Sequence, residues 1–138
     1  MNKRELRLEQ YGISNKRYKE LCGFCEQYPE WKEALKNHAF LSGVQYSDMP
    51  HSPNVGTSKK TEEDAIKLVI QMSNCELIER VAKEADEEFW QYLIKAVCYE
   101  VPLTYLQSVE GMPLEKSAFY ERRRYFFYLL DRAKNTEK

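Results

Sequence analysis

The sequence predicts an all-α protein, with an N-terminal helical hairpin followed by a C-terminal helical bundle that contains a helix-turn-helix. Three observations predict this. Apolar residues recur at three- and four-residue spacing along most of the chain. Only 5 Gly and 5 Pro occur in 138 residues, too few for the frequent turns of a sandwich or barrel. No segment alternates apolar and polar residues as a half-buried strand does.

Each element has its own signals. Ser14 or Asn15 is an N-cap candidate, followed by Tyr18, Leu21, Cys22 and Cys25 on one helical face. Pro29 breaks this helix, which is expected over about 16–28, and Trp31, Leu35 and Ala39 then resume a period near four. These segments make up a hairpin over 1–41. The stretch 42–60, SGVQYSDMPHSPNVGTSKK, concentrates Pro, Gly and Ser and is expected to be an exposed loop. Thr61 with Glu62, Glu63 and Asp64 behind it marks a helix start, because acids in the first turn oppose the helix dipole. Ile66, Val69, Ile70, Leu77 and Val81 form its apolar stripe, which runs to about Glu84. Asp86 is the next cap candidate, ahead of Phe89, Trp90, Leu93, Ile94 and Val97. Pro102 suits the first turn of a short helix carrying Leu103, Leu106 and Val109. Gly111-Met112-Pro113 turns the chain into a last helix that ends near Ala133. Residues 61–138 thus read as one domain, with the helix-turn-helix at about 102–133.

Composition narrows the function classes. Hydrophobic residues are 43% and charged residues 31%, ordinary for a soluble globular chain. No run of 18 apolar residues is present, so no membrane partner is expected. The start, MNKRELRLEQ, lacks the apolar stretch of a signal peptide, so a cytoplasmic location is expected, with the four cysteines as thiols. Net charge is −1, yet residues 61–100 carry 4 Lys/Arg against 10 Asp/Glu, and residues 115–138 carry 7 against 4. The basic end is suited to a polyanion.

The segment VPLTYLQSVEGMPLEKSAFYERRRYFFYLLDRA reads as short helix, glycine-bearing turn and longer basic helix, the order of a helix-turn-helix. A wheel at about 100° per residue, centred on Phe126, gathers Phe119, Leu130 and Ala133 on the buried side. Ser117, Glu121, Arg124, Tyr128 and Asp131 fall opposite, with Lys116, Tyr120 and Arg123 between. Positive side chains release counterions from phosphate. Arg reads guanine in the major groove, and hydroxyls hold phosphate oxygens. Lys116, Ser117, Tyr120, Glu121, Arg123, Arg124 and Tyr128 are therefore the candidate DNA-binding residues. The plainer alternative is a solvated amphipathic helix whose arginines pair with the acidic middle segment.

The chain also resembles small phage-encoded transcriptional regulators of the RinA/ArpU-like group, found in phages and prophages of Gram-positive bacteria. The residues that carry the resemblance are Tyr28-Pro29-Glu30-Trp31-Lys32, Leu77-Ile78-Glu79, Glu84-Ala85-Asp86, Tyr92-Leu93-Ile94-Lys95-Ala96-Val97 and the run FYERRRYFFYLL from Phe119 to Leu130. The resemblance implies an all-α protein whose C-terminal half is like region 4 of sigma factors, and which controls late phage genes, most simply as an activator. Two features depart from that pattern. The turn Gly111–Glu115 is longer than the usual sigma-like turn, and Ser117-Ala118 stand where relatives often have Asp and Thr. Double-stranded DNA is the partner expected, with RNA polymerase and a second copy of the chain as further candidates.

Other chemistry finds less support. Redox use of Cys22-Gly23-Phe24-Cys25 would call for a preceding strand and a helix N-terminus at the first thiol. Cys22-x2-Cys25-x12-His38 matches three ligands of a two-Cys, two-His zinc finger. The second His should then follow within about three to five residues, and the next one is His51. Buried thiols on one helix face are expected instead, with no metal and no cofactor. No nucleophile–base arrangement or phosphate loop is present, so no enzyme activity is expected. Two rivals to a transcriptional regulator remain, a small terminase subunit and a protein-interaction module without DNA contact.

Overall fold

The computed structural model describes residues 11–48 and 58–136, and the side chains of 11–38 and 62–135. Every regular element among them is a helix. The order is α1 (Asn15–Glu26), α2 (Tyr28–Asp48), α3 (Ser58–Ala85), α4 (Trp90–Cys98), α5 (Leu103–Ser108) and α6 (Lys116–Thr136). Among the described residues no helix is long and apolar enough to cross a membrane.

The division of the chain differs from a hairpin over 1–41 and a domain over 61–138. One compact unit joins residues 11–27 to 77–136, and the other comprises 28–76. The segment expected as a loop over 42–60 is also partly helical, since α2 extends to Asp48 and α3 opens at Ser58. Residues 49–57, His51 among them, lie outside the described residues.

The first unit is built on α6, which packs against α1, while α1 also packs against α4. Ser14 caps α1 by accepting a hydrogen bond from the Arg17 amide at 3.2 Å. The buried face of α1 is Tyr18, Leu21 and Cys25. On α6, Phe119, Phe126, Phe127 and Leu130 are all buried. Tyr18 meets Phe127 edge-on, with ring centroids 5.1 Å apart. Arg17 of α1 donates to the Asp131 carboxylate, and to Asn135 Oδ1 at 3.2 Å, on α6. The amine of Lys134 lies 3.7 Å from the centre of the Phe24 ring.

Consecutive helical residues point about 100° apart, so burying Phe126 and Phe127 together needs a broad covered arc. The centre of that arc falls between them, about 50° round from a wheel centred on Phe126 alone. That rotation moves several neighbouring side chains out of water.

Asp86 acts as the expected cap, but of the turn ahead of α4. Its Oδ1 accepts from the Glu88 and Phe89 amides at 3.0 and 2.9 Å, and its Oδ2 pairs with Arg122 Nε at 2.6 Å. Two chain reversals follow one plan. After α4 the Val101 amide reaches back to the Lys95 carbonyl at 3.0 Å, with Glu100 at φ 57°. After α5 the Met112 amide reaches the Leu106 carbonyl at 2.9 Å, with Gly111 at φ 73°. Glycine takes that left-handed conformation at no steric cost and glutamate does not.

In the second unit Tyr28, Trp31 and Cys75 are buried. Pro29 stands in the first turn of α2, where its missing N–H is harmless. The stripe expected on α3 is buried only at Leu77 and Val81, which belong to the first unit. Ile66, Val69 and Ile70 are 60%, 60% and 54% exposed. The side chains of 39–61 are not among those described, and nothing in the described residues covers this stripe.

Two substitutions test this packing. Phe127→Ala should cost about 3–5 kcal/mol in urea denaturation, the scale of an aromatic core truncation. A loss under about 0.5 kcal/mol, the scale of a surface change, would mean that Phe127 is not core. Glu100→Gly should stabilise by about 0.5–1 kcal/mol, because relief of the left-handed strain outweighs the added freedom of the unfolded chain. Thermal melts at neutral pH would show it as a raised midpoint.

Candidate nucleic-acid interface

The candidate residues all lie on α6 and differ in exposure. Lys116, Ser117 and Glu121 are exposed, as is Tyr125, which was not among the candidates. Tyr120, Arg123, Arg124 and Tyr128 are half-buried. Arg124, expected opposite the core, has its Nε out of water with no hydrogen-bond partner, and so does Arg123. With the arc centred toward Phe127, Arg123 falls inside it and Arg124 on its flank.

The arginine triplet therefore holds three environments. Arg122 is structural: it is tied to Asp86 and donates to the Ala118 carbonyl at 3.1 Å. Among the described residues Arg123 and Arg124 carry no ion pair, and neither does Lys116. The pairing of this triplet with the acidic segment is thus limited to Arg122. Tyr128 is engaged within the protein. Its ring lies 5.0 Å from that of Tyr11 and 6.2 Å from that of Tyr125. Its hydroxyl accepts from Arg132 at 2.8 Å, a bond that raises the Arg132 pKa.

The approach to α6 is held rigidly. Leu106 of α5 and Met112 of the turn are buried, and Gln107 Nε2 donates to the Leu114 carbonyl at 2.9 Å. Lys95 pairs with Glu110, which fixes the end of α5 against α4 and raises the lysine pKa.

Lys116, Tyr120 and Arg123 share one face of α6 at i, i+4 and i+7 spacing and line a cavity of about 500 Å³. Its other walls come from the end of α1, the corner between α4 and α5, and α5 itself, including Glu26, Glu100, Thr104 and Gln107. Nothing in the sequence joined Glu26 to the other three, which lie within residues 100–107. Tyr18 Oη is buried close to Arg123 and Cys22 without a well-formed hydrogen bond. Burial raises its pKa, and the charge of Arg123 opposes the rise.

The Cys-x-x-Cys pair lies inside α1, and all four cysteines carry thiols. Cys25 is fully buried in contact with Cys98 of α4, and burial pushes its pKa well up. Cys22 is only half-buried, at the cavity wall. Among the described residues no group of three or more His, Cys, Asp or Glu is arranged to hold a metal.

Comparison with protein families, with curated proteins and with solved structures finds no match to this chain.

The two motif thiols should differ in reactivity. Iodoacetamide near pH 8 should alkylate Cys22 well before Cys25 or Cys98, because only an accessible thiolate attacks. Peptide mass mapping over time reads the order, and equal rates at Cys22 and Cys25 would contradict the packing of α1.

Proposed function

We propose that this chain is a DNA-binding regulator of transcription of the RinA/ArpU-like kind. On this reading α5, the turn at 109–115 and α6 act as a helix-turn-helix, with α6 entering the major groove. One observation carries the reading: the first turns of α6 offer Lys116, Ser117 and Glu121 to solvent while a hydrogen-bonded turn anchored by the buried Met112 fixes their direction. In such motifs base contacts come from the N-terminal part of the second helix. Arg124 supplies flanking charge without an internal ion pair. The all-α fold is compatible with a sigma region 4-like module in phage or prophage gene control.

A second reading, a protein-interaction module, draws on the exposed Ile66, Val69, Ile70 and Met72 of α3. Binding in which DNA plays no part would favour it.

Titration of the full chain against DNA selected from a random pool, at several salt concentrations, tests the proposal. Arg124→Ala should cost about 1–3 kcal/mol at the selected site, the scale of one good base contact. Its stability should change little, since truncation removes an unpartnered N–H together with some stem packing. Lys116→Ala should weaken all sequences alike and lower the salt slope by about one unit. Wild-type affinity in both variants would remove α6 as a reader of DNA.

A further inference from the structure

The cavity beside α6 combines features that a solvent-filled cleft does not explain. Its volume of about 500 Å³ falls in the range of small-molecule sites, about 300–1,000 Å³. Val97, Val101, Leu103 and Phe119 give it an apolar wall. Arg123 approaches from the core-side arc of α6, where a helix in a filled core would carry an apolar residue, and Lys116 from the exposed first turn. Glu26 from α1 and Glu100 from the α4–α5 corner bring two carboxylates to the same space. Among the described residues none of these four charges forms an ion pair; Glu26, Glu100 and Lys116 are exposed at the rim and Arg123 is half-buried.

Two of these residues carry a cost that an ordinary surface residue would not. Arg123 holds its Nε out of water without a partner, and a buried donor left unmade costs about 1–3 kcal/mol. Glu100 sits at φ 57°, the conformation that the matching corner after α5 gives to Gly111. Strain of this sort gathers where a side chain has work to do.

We propose that this cavity binds a small amphipathic zwitterion of the amino-acid or dipeptide class. The ligand carboxylate pairs with Arg123 and Lys116, its ammonium with Glu100 and Glu26, and its apolar side chains lie on the Phe119 wall. A simple anion such as phosphate gains the two cations but meets two carboxylates, and an uncharged ligand leaves all four charges unmatched. Gln107 commits its Nε2 to the Leu114 carbonyl, so its Oε1 is left to accept from the ligand. The proposal does not rest on DNA recognition: Lys116 is common to both readings, whereas Ser117 and Glu121 lie outside the cavity lining and Glu26, Glu100 and Arg123 within it.

The probe is L-leucyl-L-phenylalanine, with its N-acetyl and C-amide forms, titrated by calorimetry into the full chain without DNA. Alkylation of Cys22 at the cavity wall is followed in parallel. The free dipeptide should bind and slow Cys22 alkylation while the other thiols react unchanged, and blocking either end should weaken binding roughly tenfold. Arg123→Gln should abolish the effect of C-amidation and Glu100→Gln that of N-acetylation, as coupled pairs do in a double-mutant cycle. Lys116→Gln, at an exposed position, serves if Arg123→Gln fails to fold. No heat and no protection at millimolar dipeptide would overturn the proposal. Equal binding of either blocked form would also overturn it and mark a site for a simple anion or cation.

Discussion

Two adjacent phenylalanines set the packing of the larger unit. A helix that buries only Phe119, Phe126 and Leu130 needs cover along one narrow stripe. Burying Phe127 as well, at 0% exposure, opens the stripe into a broad arc that needs a further partner. Helix α1 supplies it, with Tyr18 against Phe127 and Arg17 held by Asp131. The N-terminal helix is therefore part of the wall of α6, and the unit is closed by residues more than 100 positions apart in sequence, as in the Arg17–Asp131 pair at a separation of 114.

The same rotation sorts the charges. Arg122 falls where Asp86 can reach it, and Asp86 already caps the turn before α4, so one carboxylate satisfies two backbone amides and a guanidinium. Arg123 is carried to the core side and Arg124 to the flank. Summed over 115–138 the charge is positive, but the arrangement decides which cations reach a partner. Of the triplet's three guanidiniums, Arg122 serves the fold, Arg123 faces the cavity, and Arg124 flanks the outward face.

Much of the element order was legible because it is written locally. Ser14 as a cap, Pro29 at a break, Asp86 before α4, Pro102 before α5 and Gly111 after it each act within a few residues. What was not legible depends on distant partners. Periodicity assigns α1 an apolar face without saying that α4 and α6 cover it, so a hairpin over 1–41 was the natural reading. A wheel centred on Phe126 misplaced the buried arc because Phe127 is also core, where Tyr18 of the distant α1 meets it. The stripe of Ile66, Val69 and Ile70 shows the converse: apolar spacing gives the helix, and burial depends on what lies against it. Among the candidate site residues, Ser117 and Glu121 stand at the surface as the wheel had them, Lys116 is exposed although the wheel set it between the faces, and Arg123 and Tyr128 face other parts of the chain. Of the cavity residues, Thr104 and Gln107 share one face of α5, and they meet Glu26 and Arg123 only through tertiary packing.

Glu121 bears on what kind of DNA binding the proposed reading implies. Duplex DNA carries one negative charge per about 1.7 Å of axis, so a carboxylate on the approaching face opposes binding driven by charge alone. Glu121 is exposed, makes no ion pair among the described residues, and stands one turn beyond Ser117. A helix held to phosphate only by its cations would bind better without it. The carboxylate becomes useful where it meets a base edge, since it accepts from the amino group of cytosine or adenine and is poorly matched to guanine and thymine. With Arg122 consumed by Asp86 and Arg123 turned inward, few cations remain to support tight nonspecific binding through this helix. A regulator built this way gains its affinity from the matched site and loses it elsewhere, because the repulsion at Glu121 persists on every sequence that offers no donor.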